Sequence, residues 1–278
     1  MTDFNKAASK LDDLLNQVLD EHEARLLLSI EKLEDKVINL SSRLSTDEAG
    51  NVMGPKWTLK QAQELHKQLV REFNAQYDKE VDDLKQDYAT ITEGLKVFTE
   101  TMVIDEAFAT IDKKMLETLQ KQSFKMYETF TNTACENVAQ AVYDAVTVGQ
   151  SFTTLTNNIR NALTGLKSMT GRPLAQYAST YAQDALMEYY QTMHNISADA
   201  AGLTEYIYYG DVIKTTRSFC QKRAWIPNHK IFTKAQVDAW NDLTPWPGWN
   251  GDVWKNVGGH NCRHHILAVK PGWIKNAE

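Results

Sequence analysis

The sequence predicts a mainly α protein, with a long helical arm followed by a small α+β module at its C-terminal end. Three observations lead there. From residue 3 to about 200, apolar residues recur every three or four positions, and only Pro55 and Pro173 interrupt them. Six of the seven tryptophans then fall between Trp225 and Trp273. The same tail breaks into short apolar runs separated by glycine and proline, which suits short strands and turns. A chain of 278 residues accommodates one large domain or two medium ones. Three segments are expected: an amphipathic, coiled-coil-like helix over 1–54, a helical domain over 55–202 and a compact α+β module over 203–278.

The first helix carries Leu11, Leu15, Val18 and His22, spaced 4, 3, 4. After one irregular step the pattern resumes through Leu26, Ile30, Leu33, Val37, Leu40 and Leu44. This is a heptad seam with one stutter. Gly50 and Gly54-Pro55 are the expected terminators. Such a seam serves either a partner helix or neighbouring helices of its own chain. The second use is favoured, because one seam of this length can be satisfied internally.

Thr58 is the candidate N-cap of the next helix, with Leu65, Leu69, Phe73, Tyr77, Val81, Leu84 and Tyr88 along its apolar face. Gly94 weakens that helix or marks a bend. Phe108, Ile111, Met115, Leu119, Met126 and Phe130 continue the pattern into a helix that runs to about Val148. Gly149-Gln150-Ser151 breaks it, and Ser151 or Thr153 caps a segment carrying Leu155, Ile159, Leu163 and Leu166. Gly171-Arg172-Pro173 opens the last long helix, with proline in the first turn, where it is tolerated. Its Tyr177, Tyr181, Met187 and Tyr190 stripe reads as a packing face and not a cofactor site. Cys135 reads as a buried small hydrophobe. The arm contains no Gly-rich phosphate loop, His-Glu-x-x-His or Gly-x-Ser-x-Gly.

In the tail, Thr204 to Tyr209 favours a strand and Gly210-Asp211 a turn. Thr233 to Trp240 reads as a short helix capped by Thr233. Pro245-Trp246-Pro247-Gly248-Trp249 cannot be regular structure. Gly258-Gly259 marks a tight turn, and Ile266-Leu267-Ala268-Val269 is a short apolar strand ended by Pro271-Gly272.

Charge is unevenly distributed. The whole chain carries −6, which gives no overall nucleic-acid signal. Residues 1–50 hold 6 Lys/Arg against 11 Asp/Glu, whereas 211–278 hold 10 against 5. Cys135, Cys220 and Cys262 form an odd set without framework spacing, which argues for a reducing compartment. No signal-peptide pattern opens the chain and no apolar run is long enough to span a membrane.

The order of residues in the tail resembles the phage Mu F-like minor head proteins, the phage head morphogenesis family. The resemblance covers about residues 172–270. It rests on Tyr209-Gly210-Asp211, Thr216-Arg217-Ser218-Phe219-Cys220, the stretch from Ile231 to Val237, Trp249-Asn250-Gly251, and the closing Gly258-Gly259-His260-Asn261-Cys262-Arg263-His264. It implies a structural component of the virion, made in the host cytoplasm and placed inside the head near the portal vertex. Its implied roles are head assembly and genome retention or delivery. The implied partners are the portal protein, the major capsid protein or other inner head proteins, packaged double-stranded DNA, or a second copy of the chain. No enzymatic activity and no cofactor are expected.

Asp211, Arg217, Cys220, Gly258, Gly259, Asn261, Cys262, Arg263 and His264 are the expected structural motif. Arg217 should tie the strand end to the Cys262-Arg263 segment. Its guanidinium requires either a carboxylate, for which Asp211 is the candidate, or several carbonyls. Cys220, His260, Cys262 and His264 offer the donor set of a tetrahedral structural zinc. Against zinc stand the 42 residues between the cysteines, the absence of a Cys-x-x-Cys knuckle and the short Cys262-x-His264 spacing. The alternative, which is favoured, is that the thiols simply pack while Arg263 meets carbonyls or a carboxylate. A Cys220–Cys262 disulfide formed after release into oxidising surroundings is a further option. Lys222, Arg223, Lys230, Lys234 and Lys255 are candidate DNA-phosphate contacts; the alternative is a solvated basic face. Two other functions compete: an HNH-like metal-dependent nuclease using His229, His260, His264 or His265, and a coiled-coil scaffold built on residues 1–50.

Overall fold

A computed structural model describes residues 3–52, 59–102, 113–165, 174–243, 252–270 and 273. The arm holds α1 (Asp3–Ser41), α2 (Leu59–Thr101), α3 (Lys113–Val148), α4 (Phe152–Leu163) and α5 (Leu174–Ala200). The tail holds β1 (Glu205–Tyr209), α6 (Ser218–Gln221), α7 (Trp225–Asn228), β2 (Phe232–Thr233), α8 (Lys234–Asp238), a 3-10 turn (Ala239–Asp242), α9 (Val253–Asn256) and β3 (His265–Val269). The chain is therefore mainly helical with a small α+β module at the end. Thr58, Gly54-Pro55, Phe108, Ile111, Leu166, Gly171-Arg172-Pro173, Pro245 to Gly251, Pro271-Gly272 and the side chains of Met115 and Tyr177 lie outside the described residues.

Two compact units emerge, and neither follows the sequential division at 54 and 202. One collects Met1–Glu21, Lys85–Lys121 and Tyr181–Glu278; the other collects His22–Leu84 and Gln122–Thr180. The long helices α1, α2, α3 and α5 each contribute residues to both.

In the unit of His22–Leu84 and Gln122–Thr180, the seam of α1 is buried at His22, Leu26, Ile30, Leu33 and Val37. Each buried aliphatic side chain contributes about 1.5–3 kcal/mol over an exposed one. Further core residues are Leu65, Leu69, Phe73 and Leu84 of α2, Tyr127, Cys135, Val138 and Val142 of α3, and Leu155, Ile159 and Leu163 of α4. Polar ties cross the helices: Ser29 Oγ donates to Gln76 Oε1 at 3.0 Å, and Arg160 Nε meets Glu34 Oε1 at 3.2 Å. Ser151 caps α4 by accepting from the Thr154 amide at 3.1 Å, as its sequence position predicts.

The structure corrects four details of the arm. Helix α1 stops at Ser41, well before Gly50. Ser41 and Ser42 turn their hydroxyls onto the carbonyls of Val37 and Asn39, and Leu44 is then buried from a turn. Gly94 lies inside α2, which continues past it to Thr101. A Cβ at Gly94 would meet Leu14 Cδ2 at 2.1 Å, so the glycine is a packing notch. In α3 the stripe sits one position later than Met126 and Phe130: Met126 is 43% exposed while Tyr127 is buried. In α2, Glu80 occupies the seam where Tyr77 and Val81 were expected; burial pushes its carboxyl upward, and it accepts from Gln76 Nε2 at 2.7 Å.

The other unit surrounds the sheet. Phe4, Leu11, Leu15 and Leu19 of α1, Ile91, Leu95 and Phe98 of α2, and Leu186, Tyr190 and Met193 of α5 are buried. The sheet is antiparallel in the order β2-β1-β3, with Tyr206 opposite Ala268, Tyr208 opposite Ile266 and Tyr209 opposite His265. All of β3 is buried, which explains why it reads as an unbroken apolar run. As an edge strand, β3 leaves the backbone groups of Ile266 and Ala268 without a strand partner on one side. Side chains of α5 supply them. Gln191 donates to Ile266 O at 3.0 Å and accepts from Ile266 N at 2.9 Å, and His194 Nε2 accepts from Ala268 N at 2.9 Å.

Candidate functional site

The tail has an aromatic core. The Tyr208 ring lies 6.1 Å from Phe219, 6.0 Å from Trp240 and 5.3 Å from His264. Phe232 meets Trp240 at 4.9 Å. The Arg223 guanidinium lies 3.8 Å over Phe219 and 4.7 Å from Trp240, and donates to Phe219 O at 2.9 Å.

On this core the two ends of the motif meet. Cys220 enters from α6; Cys262 and His264 enter from the turn before β3. Their sulfurs are 3.9 Å apart, and Cys262 Sγ is 3.7 Å from His264 Nδ1. The Tyr208 hydroxyl is 3.2 Å from Cys220 Sγ and 3.7 Å from Cys262 Sγ. All four side chains are buried. The hydrogen bond from the Cys262 thiol, helped by Tyr208, Arg217 and Arg223, draws Cys220 down to about 7. That same bond and burial push Cys262 upward, and burial pushes the Tyr208 phenol upward. A reactive cysteine needs a thiolate and access; Cys220 has a lowered thiol but is 2% exposed.

The backbone is fitted closely around this cluster. A Cβ on Gly258 would lie 2.4 Å from Cys262 Sγ, 2.6 Å from Cys220 Sγ and 2.9 Å from Tyr208 Oη, so only glycine fits there. Val257 beside it adopts φ 46 and ψ −90, an unusual conformation for a β-branched residue, costing about 1–3 kcal/mol. Arg217 holds the turn: Nη1 donates to Gly258 O at 3.1 Å and Nη2 to His260 O at 2.6 Å. Two carbonyls are thus among the partners of this guanidinium, as the carbonyl option expects. Gly210, with φ 131, lets β1 pass within reach of His264, where a Cβ would meet Cα at 3.0 Å. Asn261 has φ 57, and Arg263 Nη2 meets Asp20 Oδ1 at 2.6 Å.

His260 does not join the thiols. It is directed to Asp184 of α5, with Nδ1 2.5 Å from Oδ2, and its side chain is 69% exposed. Asp184 Oδ1 also accepts from Asn261 N at 2.8 Å. Sequence reasoning missed Asp184, Gln191 and His194, which pin the turn and strand to α5. Their only signal is a polar residue within an otherwise apolar helix face. His265 is fully buried beside Asp12, 3.6 Å away, and burial lowers it to about 3.

Three of the five candidate DNA contacts are engaged elsewhere. Arg223 is stacked on the aromatic core, Lys234 Nζ meets Asp199 at 2.7 Å, and Lys255 Nζ lies 4.0 Å from Glu188 and 3.6 Å from Asp252. Lys222 and Lys230 are exposed.

No helix among the described residues is long and apolar enough to cross a membrane. Compared with known proteins, the chain matches no family model, no curated protein and no solved structure.

Proposed function

We propose that this chain is a minor head protein of a tailed bacteriophage, acting inside the head near the portal vertex in assembly and in genome retention or delivery. One observation carries the reading. The two motif blocks that resemble the head morphogenesis family, Thr216 to Cys220 and Gly258 to His264, are 38 or more residues apart in sequence and form one interlocked knot through Arg217 and the two thiols. Such a knot makes the tail a rigid module, which suits a structural role. Of the histidines a nuclease could use, His265 is fully buried, His264 is engaged with Cys262 and His260 is held by Asp184, an arrangement that favours a structural role over hydrolysis. The helical arm and the tail surface then offer the docking faces for portal or inner capsid proteins.

Quantitative mass spectrometry of purified particles, before and after triggered DNA release, tests the reading. A few copies per full head are expected. Loss on emptying makes the chain a delivered protein, and retention makes it a portal-vertex component. Absence from full heads overturns the proposal. Magnesium-dependent nicking of plasmid DNA that disappears on changing His264 or His265 would favour the nuclease instead.

A further inference from the structure

We propose that Cys220, Cys262 and His264 form a binding site for one thiophilic divalent cation of the zinc class, with the Tyr208 hydroxyl facing the fourth position. The site stands independently of the phage reading.

The distances carry the argument. A tetrahedral ion with Zn–S of about 2.3 Å and Zn–N of about 2.0 Å places its two sulfurs about 3.8 Å apart and each sulfur about 3.5 Å from the nitrogen. The sulfurs here are 3.9 Å apart, Cys262 Sγ is 3.7 Å from His264 Nδ1, and all three donor atoms lie within 4.8 Å of one another. A disulfide requires about 2.05 Å between sulfurs, so bridging would need the two to close by nearly 2 Å.

Two thiols, an imidazole and a phenol converge in the tail core and meet one another over 3.2–3.9 Å. Contacts between thiols are weak hydrogen bonds, whereas a shared cation would bind both sulfurs and the imidazole at once. The surroundings suit it. Gly258 presents no side chain to the cluster, Arg217 fixes the turn that delivers Cys262, and Tyr208 is stacked at 29° on His264. An entry path exists: a cavity of about 360 Å³, lined in part by Asp211, Arg217, Cys220, Cys262 and His264, opens beside the donors. The donor set differs from the sequence expectation, since His260 is bound to Asp184 and Tyr208 stands closest to the thiols in its place.

The test uses the full chain, reduced, stripped with a chelator and titrated with Co2+ without oxygen. Saturation at one equivalent is expected, with thiolate-to-cobalt charge-transfer absorption and the strong visible bands of tetrahedral cobalt. One equivalent of Zn2+ should abolish both and raise the melting temperature. Cys135→Ser should keep the full signal; Cys220→Ser and Cys262→Ser should lose it. To separate loss of binding from unfolding of the tail in those two variants, zinc protection is measured on the unmutated chain as well. Alkylation of Cys220 and Cys262 should slow at least tenfold with Zn2+ while Cys135 is unaffected. The proposal is overturned by a reduced chain without thiolate–cobalt absorption, by absorption that survives in the folded Cys220→Ser, Cys262→Ser double variant, or by alkylation indifferent to zinc.

Discussion

Lowering the pH from 7 to 5 should cost the fold about 2 kcal/mol through His194 alone. This side chain is buried on α5, and its Nε2 must stay unprotonated to accept the Ala268 amide of β3. Burial depresses it from 6.5 to about 4. The sign follows from linkage. Between those values the unfolded chain takes up a proton that the folded chain refuses, so stability is full above about 6.5 and falls with pH toward 4. The slope approaches about 1.4 kcal/mol per pH unit, and 1.5 units below the unfolded value gives roughly 2 kcal/mol. His265, lowered to about 3, acts in the same direction; its neighbour Asp12, raised to about 6, acts in the opposite one, so that pair partly cancels. Urea unfolding followed by tryptophan fluorescence reads this directly, because Trp225 and Trp240 are buried in the tail. The midpoint should drop by about 1 M urea between pH 7 and 5. His194→Gln keeps an acceptor but cannot titrate, so its pH slope should be shallower by about one proton. Equal midpoints at the two pH values, or an unchanged slope in the variant, would refute the reasoning.

Two further predictions concern packing and the clamp. Arg217→Ala removes charged donors from two carbonyls and should destabilise the tail by about 2–4 kcal/mol. The loss should be visible in tryptophan melting, while the low-temperature helical circular dichroism stays unchanged. Gly94→Ala should cost about 1–3 kcal/mol by forcing Leu14 aside, and Leu14→Ala should relieve most of that cost in a thermal-melt double-mutant cycle.

Much of the helical arm was legible because its core obeys one period. The seam from Leu11 to Val37 is buried as spaced, and the Ser151 cap and the strand from Ile266 to Val269 fall where expected. Legibility failed where a polar residue occupies a core position. Glu80 displaces the seam of α2, and Tyr127 rather than Met126 turns inward in α3, since both candidates satisfy the same spacing. Gly94 was ambiguous for a physical reason: a glycine's purpose depends on what approaches it, and Leu14 is distant in sequence. The joining of Cys220 to Cys262 was legible as a pairing of motifs. The choice of Tyr208 over His260 beside them was not, because it depends on Asp184 drawing the histidine away.

The composition of the sheet-bearing unit has a consequence for how the chain is made. Asp12 and Asp20 on α1 find His265 and Arg263 only after some 250 intervening residues exist. At ordinary ribosomal speeds that delay is roughly 10–50 s. During this interval the first half of α1 can already meet α2, whose Gly94 receives Leu14, but Asp12 and Asp20 still lack their partners from the tail. Closing so long a loop costs entropy that the contacts of β3 must offset. Completion of this unit is therefore a late event in synthesis.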